Sequence, residues 1–314
     1  MYKRFYGLNK NPFELSPDPY FFYATPRHKE ALGSLHYGVQ RHKGFSVMTG
    51  QAGTGKTLII RCLAEFLKRA NVSFAYFFNP QLTAADFVEY ILSDLGLPVP
   101  PGGKSAKLFA LNDYLVDRHL RGSTTVLIVD EAHLLSRELL EEIRLLTNLE
   151  TPREKLLQII LSGQPELDAI IDSPDMPQVK QRIALRCRLR RLQGAEVETY
   201  ILRRLERASL APRKRNIFSI QAIAAIEKYS QGIPRLMNTI CENALVAGYA
   251  LQLPVVNASI VEEVASQFGF CAAADAPLDA DANRPPGKAQ PREVFSGVSV
   301  TQALTVARRS SPAL

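Results

Sequence analysis

Short apolar runs alternate with amphipathic segments from Phe45 onward. An apolar run that is closed by glycine, proline or an acid is typical of a strand buried on both faces of a parallel sheet. Apolar residues spaced three and four positions apart, which occur between these runs, predict helices. The alternation therefore predicts a doubly wound α/β domain. Its five predicted parallel strands are FSVMTG, VSFAYFFNP, TTVLIVDEAH, KLLQIILSGQPEL and LRCRLRRL.

Helical spacing continues after Gly194, where the strands end. Four further helical segments follow with no strand between them, which is typical of a small all-α domain. The first 44 residues are interrupted by prolines and are expected to form loop and short helix. Beyond Phe270, Pro, Ala, Gly and Asp dominate, so a disordered tail is expected. The predicted units are residues 1–44, 45–194, 195–270 and 271–314.

Composition limits the classes of partner and site. The chain is 46% hydrophobic and 22% charged, as folded proteins are, and 38 Lys and Arg against 31 Asp and Glu give it a net charge of +7. That excess favours acidic partners only weakly. The four cysteines lie far apart in the sequence, so neither a zinc site nor a disulfide framework is indicated.

One segment, residues 243–261, has no charged residue and is the best candidate for a membrane span. Pro254 and several polar residues interrupt it, however, so it is interpreted as two buried helices joined by a loop. The N-terminus lacks the apolar core of a signal peptide. We therefore expect a cytoplasmic chain without an integral membrane span.

A phosphate-binding loop is predicted at GQAGTGKT, which matches G-x-x-x-x-G-K-[ST] in full between a predicted strand and a predicted helix. Backbone N–H groups of such a loop point at phosphate oxygens, and the helix N-terminus adds positive potential. Lys56 would reach the β- and γ-phosphates, and Thr57 would offer its hydroxyl to Mg²⁺. The predicted nucleotide-binding residues of this loop are Gly50, Gln51, Ala52, Gly53, Thr54, Gly55, Lys56, Thr57 and Leu58.

Two adjacent acids, Asp130 and Glu131, end the third predicted strand. Asp130 is predicted to hold Mg²⁺ through water, and Glu131 to polarise the water that attacks the γ-phosphate. A second acid matters because binding a metal needs one carboxylate and activating water needs another. The alternative is that Glu131 only begins the next helix, where acids are favoured.

Two residues with amide side chains stand at the ends of the second and fourth predicted strands. Asn79 ends the second predicted strand, where its side chain would reach Glu131 and hold it back until a ligand signal arrives; the alternative is an Asn-Pro turn. Gln164 follows the fourth predicted strand and would contact the attacking water or the γ-phosphate. Its alternative is a turn before Pro165.

Arginines are clustered around the last predicted strand and recur in the all-α domain. Arg182 and Arg186 precede the strand, where either would enter a neighbouring subunit's site and stabilise charge on the transferred phosphoryl group. An exposed basic strand edge would also explain them. Arg235 opens a helix at QGIPRLMN and would sense the γ-phosphate, or else face solvent.

These motifs in this order resemble the ExeA/GspA-type AAA+ ATPases and, more distantly, the transposition ATPases of the TnsC/MuB kind. The N-terminal FYGLNKNPFELSPDPYFFYATP, the GQAGTGKT loop, LIVDEAH, LLQIILSGQPEL, QRIALRCRLRRL and GIPRLMN carry the resemblance over residues 1–270. It implies an AAA+ core with a helical lid and an oligomer with nucleotide between subunits. It also implies a site for adenine near Asn11, Pro12 and Phe13.

The resemblance supports Walker A roles for Lys56 and Thr57 and Walker B roles for Asp130 and Glu131. It implies that Gln164 is sensor 1 and Arg235 sensor 2, and it leaves Arg182 and Arg186 both open as the arginine finger. The secretion members continue into a membrane helix and a periplasmic peptidoglycan-binding part, whereas this sequence continues into a short polar tail.

The sequence therefore predicts a Mg²⁺-dependent ATPase that assembles with itself and remodels or regulates an unknown protein client, of the secretion or polysaccharide-export type. The alternative is an ATP switch bound to DNA, for which the net charge and the basic run in residues 203–215 are the indications. A third hypothesis, a scaffold that binds nucleotide without hydrolysis, predicts no phosphate release.

Overall fold

A five-stranded parallel sheet forms the centre of the protein, whose computed structural model describes residues 2–78, 82–210 and 216–270. The strand order is β2-β3-β4-β1-β5, and every neighbouring pair is parallel, so the predicted sheet is confirmed. The strands are β1 Phe45–Gly50, β2 Ser73–Phe77, β3 Thr125–Val129, β4 Leu157–Gly163 and β5 Leu185–Leu189. Asn79, which was predicted to end β2, lies outside the described residues.

The three central strands of the sheet, β3, β4 and β1, are buried on both faces, which explains why they are mainly apolar runs. Every residue of β1, β3 and β4 is buried. Leu127 and Val129 of β3 join one hydrophobic cluster, whereas Val126 and Ile128 join the cluster on the opposite face. This is the alternation expected of a strand in the middle of three layers.

Helices cover both faces of the sheet. A fifteen-residue helix stands in the region expected to hold only loop and short helix; it begins at Pro26 after Thr25, whose side chain accepts the backbone N–H of His28. The helices through the sheet region are α1 Tyr2–Tyr6, α2 Pro26–Gln40, α3 Lys56–Arg69, α4 Ala84–Asp94, α5 Lys104–Leu120, α6 Arg137–Leu146, α7 Pro165–Ile171 and α8 Pro177–Arg182.

Four helices then form a separate hydrophobic cluster, here called the lid. They are α9 Ala195–Ala208, α10 Ile220–Ser230, α11 Pro234–Ala250 and α12 Ala258–Gln267. The uncharged segment is divided between α11 and α12, with Pro254 in the connection. Across the described ranges, no helix is both long enough and apolar enough to cross a bilayer.

The N-terminal segment is shared between the lid and the sheet. Tyr2 donates its hydroxyl to Glu242, and Tyr6 donates to the carbonyl of Leu253, so α1 is attached to the lid. Phe13 also lies in the lid cluster, fully buried and edge-on to Phe218 at 6.2 Å between ring centroids. The helix α2, in contrast, packs against α3 and β5.

The burial of Phe13 predicts that this side chain stabilises the fold by packing and does not contact the nucleotide. Replacing a fully buried Phe by Ala leaves a cavity, so Phe13→Ala should lower the free energy of unfolding by about 3–5 kcal/mol. Chemical denaturation measures this loss, with Leu15→Ala as the control because Leu15 is 55% exposed. A variant of unchanged stability that bound nucleotide more weakly would contradict the packing role.

Candidate functional site

The loop between β1 and α3 makes a tight turn that depends on two glycines. Gly53 and Gly55 have φ angles of +80° and +104°, which residues with a Cβ rarely adopt. Thr54 closes the turn by donating its hydroxyl to the carbonyl of Gln51 at 2.8 Å. The helix α3 begins at Lys56, so its N-terminus faces the same concavity.

Lys56 is buried inside this loop. Its Nζ donates to the carbonyls of Gly50 at 2.7 Å and Gln51 at 3.1 Å. Burial lowers the pKa of Lys56, and the nearby carboxylates of Glu131 and Asp130 oppose that shift. The lysine and the two predicted acids therefore belong to one electrostatic group.

Asp130 lies beside Thr57, as the predicted metal site requires. The Thr57 hydroxyl donates to Asp130 Oδ2 at 3.0 Å, and Tyr76 of β2 donates to the same oxygen at 2.9 Å. Burial, with the Asp130 charge adding to it, raises the pKa of Tyr76, which keeps its hydroxyl a donor. The other Asp130 oxygen accepts the backbone N–H of Glu131 at 3.0 Å.

This pair of oxygen donors suits Mg²⁺, which is usually bound by one or two protein oxygens together with phosphates and water. The described ranges contain no group of three or more His, Cys, Asp or Glu arranged to hold a metal by themselves. The residues present therefore fit a cation that is shared with a nucleotide.

Glu131 stands where β3 turns into a short 3₁₀ turn, Ala132–Leu134. Its φ angle is +51°, and its side chain is 44% exposed. The carboxylate Oε2 lies 3.5 Å from Nδ1 of His133. On the other side of that ring, His133 Nε2 lies 2.8 Å from Nε2 of Gln164. The predicted base and the predicted sensor are thus joined by His133.

The lid closes over the loop. The backbone N–H of Arg235 donates to the carbonyl of Gly53 at 3.3 Å. A Cβ on Gly53 would lie 2.8 Å from the Arg235 Cβ, so only glycine permits this approach. Arg191 adds a second connection, with Nε 2.5 Å from Gln51 Oε1 and Nη1 2.6 Å from Gln231 Oε1. Arg235 is exposed beside the loop, where sensor 2 was predicted.

The two candidate finger arginines differ in their surroundings. Arg186 is ion-paired to Asp172 at 3.0 Å and to Asp168 at 3.5 Å, and its side chain is 25% exposed. Arg182 is exposed at the end of α8 and donates to the neutral Asn148 side chain at 3.0 Å. No acid of the described chain forms an ion pair with Arg182.

Of the N-terminal residues expected near adenine, Pro12 and Phe13 are buried, whereas Asn11 is partly exposed. Phe13 has no exposed surface, and Pro12 is buried with its carbonyl accepting from Arg204. Asn11 donates to the Glu14 side chain. In this arrangement Phe13 presents no ring surface to a base.

The N-terminal segment reaches the phosphate loop through His28 instead. Its Nε2 lies 3.1 Å from the carbonyl of Thr54, and its Nδ1 lies 2.6 Å from the Thr25 hydroxyl. Thr25 already accepts the His28 backbone N–H, so its own hydrogen is available to Nδ1, and Nε2 carries the proton given to Thr54. Burial lowers the pKa of His28, which favours this neutral form.

Sequence reasoning missed four residues of the site: His28, Tyr76, His133 and Arg191. His133 was visible within LIVDEAH, three positions after Asp130, but only the structure shows that it contacts Gln164. The other three lie far along the chain from the residues that they contact. Their sequence positions alone carry no signal of those contacts.

Comparisons with known proteins agree with this geometry. Residues 39–171 match a family model described as an AAA domain. General secretion pathway protein A of Aeromonas hydrophila is 41% identical over 251 residues, which cover 80% of this chain and 45% of that protein. The chain therefore spans less than half the length of this relative.

Solved structures show the same fold at low sequence identity. Cdc6p from Pyrobaculum aerophilum aligns with a TM-score of 0.63 and 20% identity, over 80% of this chain and 70% of that one. The Aeropyrum pernix ORC2 protein, in ADPNP–ADP complexes, aligns with a TM-score of 0.57 and 14% identity, over 80% and 72% of the two chains. The chain therefore has the α/β AAA+ fold, and the 251 residues that it shares with the secretion protein support a relationship to the ExeA/GspA type.

Proposed function

We propose that this protein binds ATP with Mg²⁺, hydrolyses it in a site completed by a second copy of the chain, and uses the cycle to remodel or regulate a partner assembly. The observation that carries hydrolysis is the convergence of Lys56, the Thr57–Asp130 pair and Glu131. Passive binding would need only the first two of these features.

Each residue then has a defined task. The loop N–H groups and Lys56 bind the phosphates, while Thr57 and Asp130 hold Mg²⁺, which neutralises charge on the phosphoryl oxygens. Glu131 accepts a proton from the attacking water. Gln164 contacts the γ-phosphate from the end of β4, and Arg235 contacts it from the lid.

The first prediction separates hydrolysis from binding. Glu131→Gln should bind ATP with unchanged affinity while turnover falls by about 10²–10⁴-fold, since the amide cannot take a proton. Lys56→Ala should lose ATP affinity itself. Phosphate release and equilibrium binding of ATP measure the two effects.

Glu138→Gln is the matched control, because Glu138 lies seven positions further on and is exposed in the first turn of α6. If Glu131→Gln released phosphate at the wild-type rate, Glu131 would not be the base. A wild-type chain that binds ATP and never releases phosphate would support the scaffold hypothesis instead.

A shared site is supported by the arginine geometry. The side chain of an arginine finger must extend across the subunit interface to reach the neighbour's γ-phosphate. To do this, Arg186 would have to break two ion pairs within its own subunit. Arg182 would give up a hydrogen bond to the neutral Asn148 amide and a weaker attraction to Glu150, with no ion pair to a described residue to break. We therefore assign the finger to Arg182.

Mixing experiments test this assignment. Arg182→Ala should reduce turnover by about 10³-fold or more, the cost typical of a missing finger. Mixed with Glu131→Gln subunits, it should regain activity, because intact Glu131 and intact Arg182 then meet at some interfaces. Arg186→Ala should lower the free energy of unfolding and show no rescue of this kind. Rescue by the Arg186 variant alone would reverse the assignment.

The client proposed is a protein assembly of the secretion or envelope-export type, by similarity to the secretion relative. The basic run in residues 203–215 gives the DNA-switch alternative less support than its sequence suggests, because two of its arginines make contacts within the chain. Arg203 is paired with Glu206 at 2.8 Å, and Arg207 donates to the carbonyls of Tyr20 and Phe22. Residues 211–215 of that run lie outside the described residues.

Trapping the ATP-bound state tests whether the client is a protein or DNA. Glu131→Gln with ATP should retain a protein partner that Glu131→Gln combined with Lys56→Ala does not retain, because only the first variant holds nucleotide. Co-purification followed by mass spectrometry compares the two. Recovery of DNA in place of a protein, with steep loss on added salt, would favour the switch hypothesis.

A further inference from the structure

Three polar side chains connect the end of β4 to the end of β3. Gln164 Nε2 lies 2.8 Å from His133 Nε2, and His133 Nδ1 lies 3.5 Å from the Glu131 carboxylate. The two strands are adjacent and parallel in the sheet. The connection is therefore built on a rigid part of the fold.

The Gln164 contact determines where the His133 proton resides. A side-chain amide nitrogen only donates hydrogen bonds, so in the orientation that the structure gives the Gln164 amide, His133 Nε2 accepts. A neutral imidazole that accepts at one nitrogen carries its proton on the other. Nδ1 is thus an N–H, and it lies 3.5 Å from the Glu131 carboxylate.

Among the described residues, few hydrogen-bond acceptors other than Glu131 are open to the Nδ1–H of His133. Nδ1 is buried and makes no hydrogen bond with any described residue, and the side chain is only 8% exposed. The backbone of the 3₁₀ turn also lies against β4: a Cβ placed on Gly163 would be 3.2 Å from the backbone nitrogen of His133. The carboxylate of Glu131, at 3.5 Å, is the acceptor within its reach.

We propose that His133 is a positioning residue that orients the Glu131 carboxylate through Nδ1–H, and that Gln164 sets this role by holding the ring in the Nδ1–H tautomer. The inference rests on the proposed function, because orienting Glu131 matters only if that carboxylate activates water. It gives Gln164 a second task beside its proposed contact with the γ-phosphate. Orientation of this kind is how hydrogen-bonded partners of a catalytic group usually contribute.

Turnover in a mutant cycle tests the coupling. His133→Ala should lower kcat by about tenfold with the KM for ATP unchanged, since nucleotide binding does not involve the ring. In a Gln164→Ala background the same substitution should cost little, because the ring no longer holds the productive tautomer. Leu134→Ala, at a 57% exposed position of the same turn, is the control. Equal costs in both backgrounds would overturn the inference.

Two conservative variants distinguish the nitrogens. The amide nitrogen of Asn lies near the place of Nδ1 and needs no tautomer, so His133→Asn should retain most of the turnover. Gln164→Ala should cost less in that background than in the wild type, because only the γ-phosphate contact of Gln164 is then lost. The amide nitrogen of Gln lies near the place of Nε2, so His133→Gln should behave like His133→Ala. Rescue by Gln and not by Asn would contradict a role for Nδ1.

A spectroscopic measurement tests the same point without turnover. Long-range ¹H–¹⁵N correlation spectra of the full chain distinguish the two neutral tautomers, and His133→Ala assigns its signal among the five histidines. We expect the Nδ1–H form in the wild type and a shift towards Nε2–H in Gln164→Ala. An Nε2–H ring in the wild type would overturn the inference. A chain that showed the Nδ1–H form without hydrolysing ATP would instead contradict the proposed function alone.

Discussion

The pairing of β4 with β3 on one side and β1 on the other is the constraint on which the site depends. The register places Val129 beside Leu161 and Thr49 beside Gly163, so all three strands end at one edge of the sheet. A shift of one residue would turn the side chains of a strand to opposite faces. It would separate the acids after β3 from the phosphate loop after β1 and from Gln164 after β4. Burial on both faces opposes such a shift, because it would move every apolar side chain of the strand.

The phosphate loop is held from three directions by parts of the chain that are distant in sequence. His28 binds the carbonyl of Thr54 from the N-terminal side. Arg235 binds the carbonyl of Gly53 from the lid, and Arg191 links Gln51 to the lid turn at Gln231. Because these contacts act on consecutive parts of one loop, a movement of the lid would change the contacts of that loop at Gln51 and Gly53.

The parts of this structure that could be predicted from sequence are those set by local pattern. The strands β1 to β4 follow from apolar runs, and the phosphate loop follows from glycines at fixed spacing, since both depend on neighbouring residues only. The choice between Arg182 and Arg186 could not be made, because it depends on Asp168 in α7 and Asp172 at the C-cap of that helix. The resemblance alone placed adenine near Phe13, and the packing of Phe13 against Phe218 could not be predicted because it requires the tertiary fold.

The backbone at Glu131 shows why adjacent acids can serve one site. In an extended strand successive side chains point to opposite faces, which would send the carboxylates of Asp130 and Glu131 in different directions. The left-handed conformation of Glu131, at φ +51°, breaks that alternation, and both acids oppose the lowering of the Lys56 pKa by burial. Such a conformation costs a non-glycine residue about 1–3 kcal/mol, and glycine would relieve it. Glycine would also remove the carboxylate, so the strain accompanies the placement of two carboxylates, one residue apart, beside Lys56.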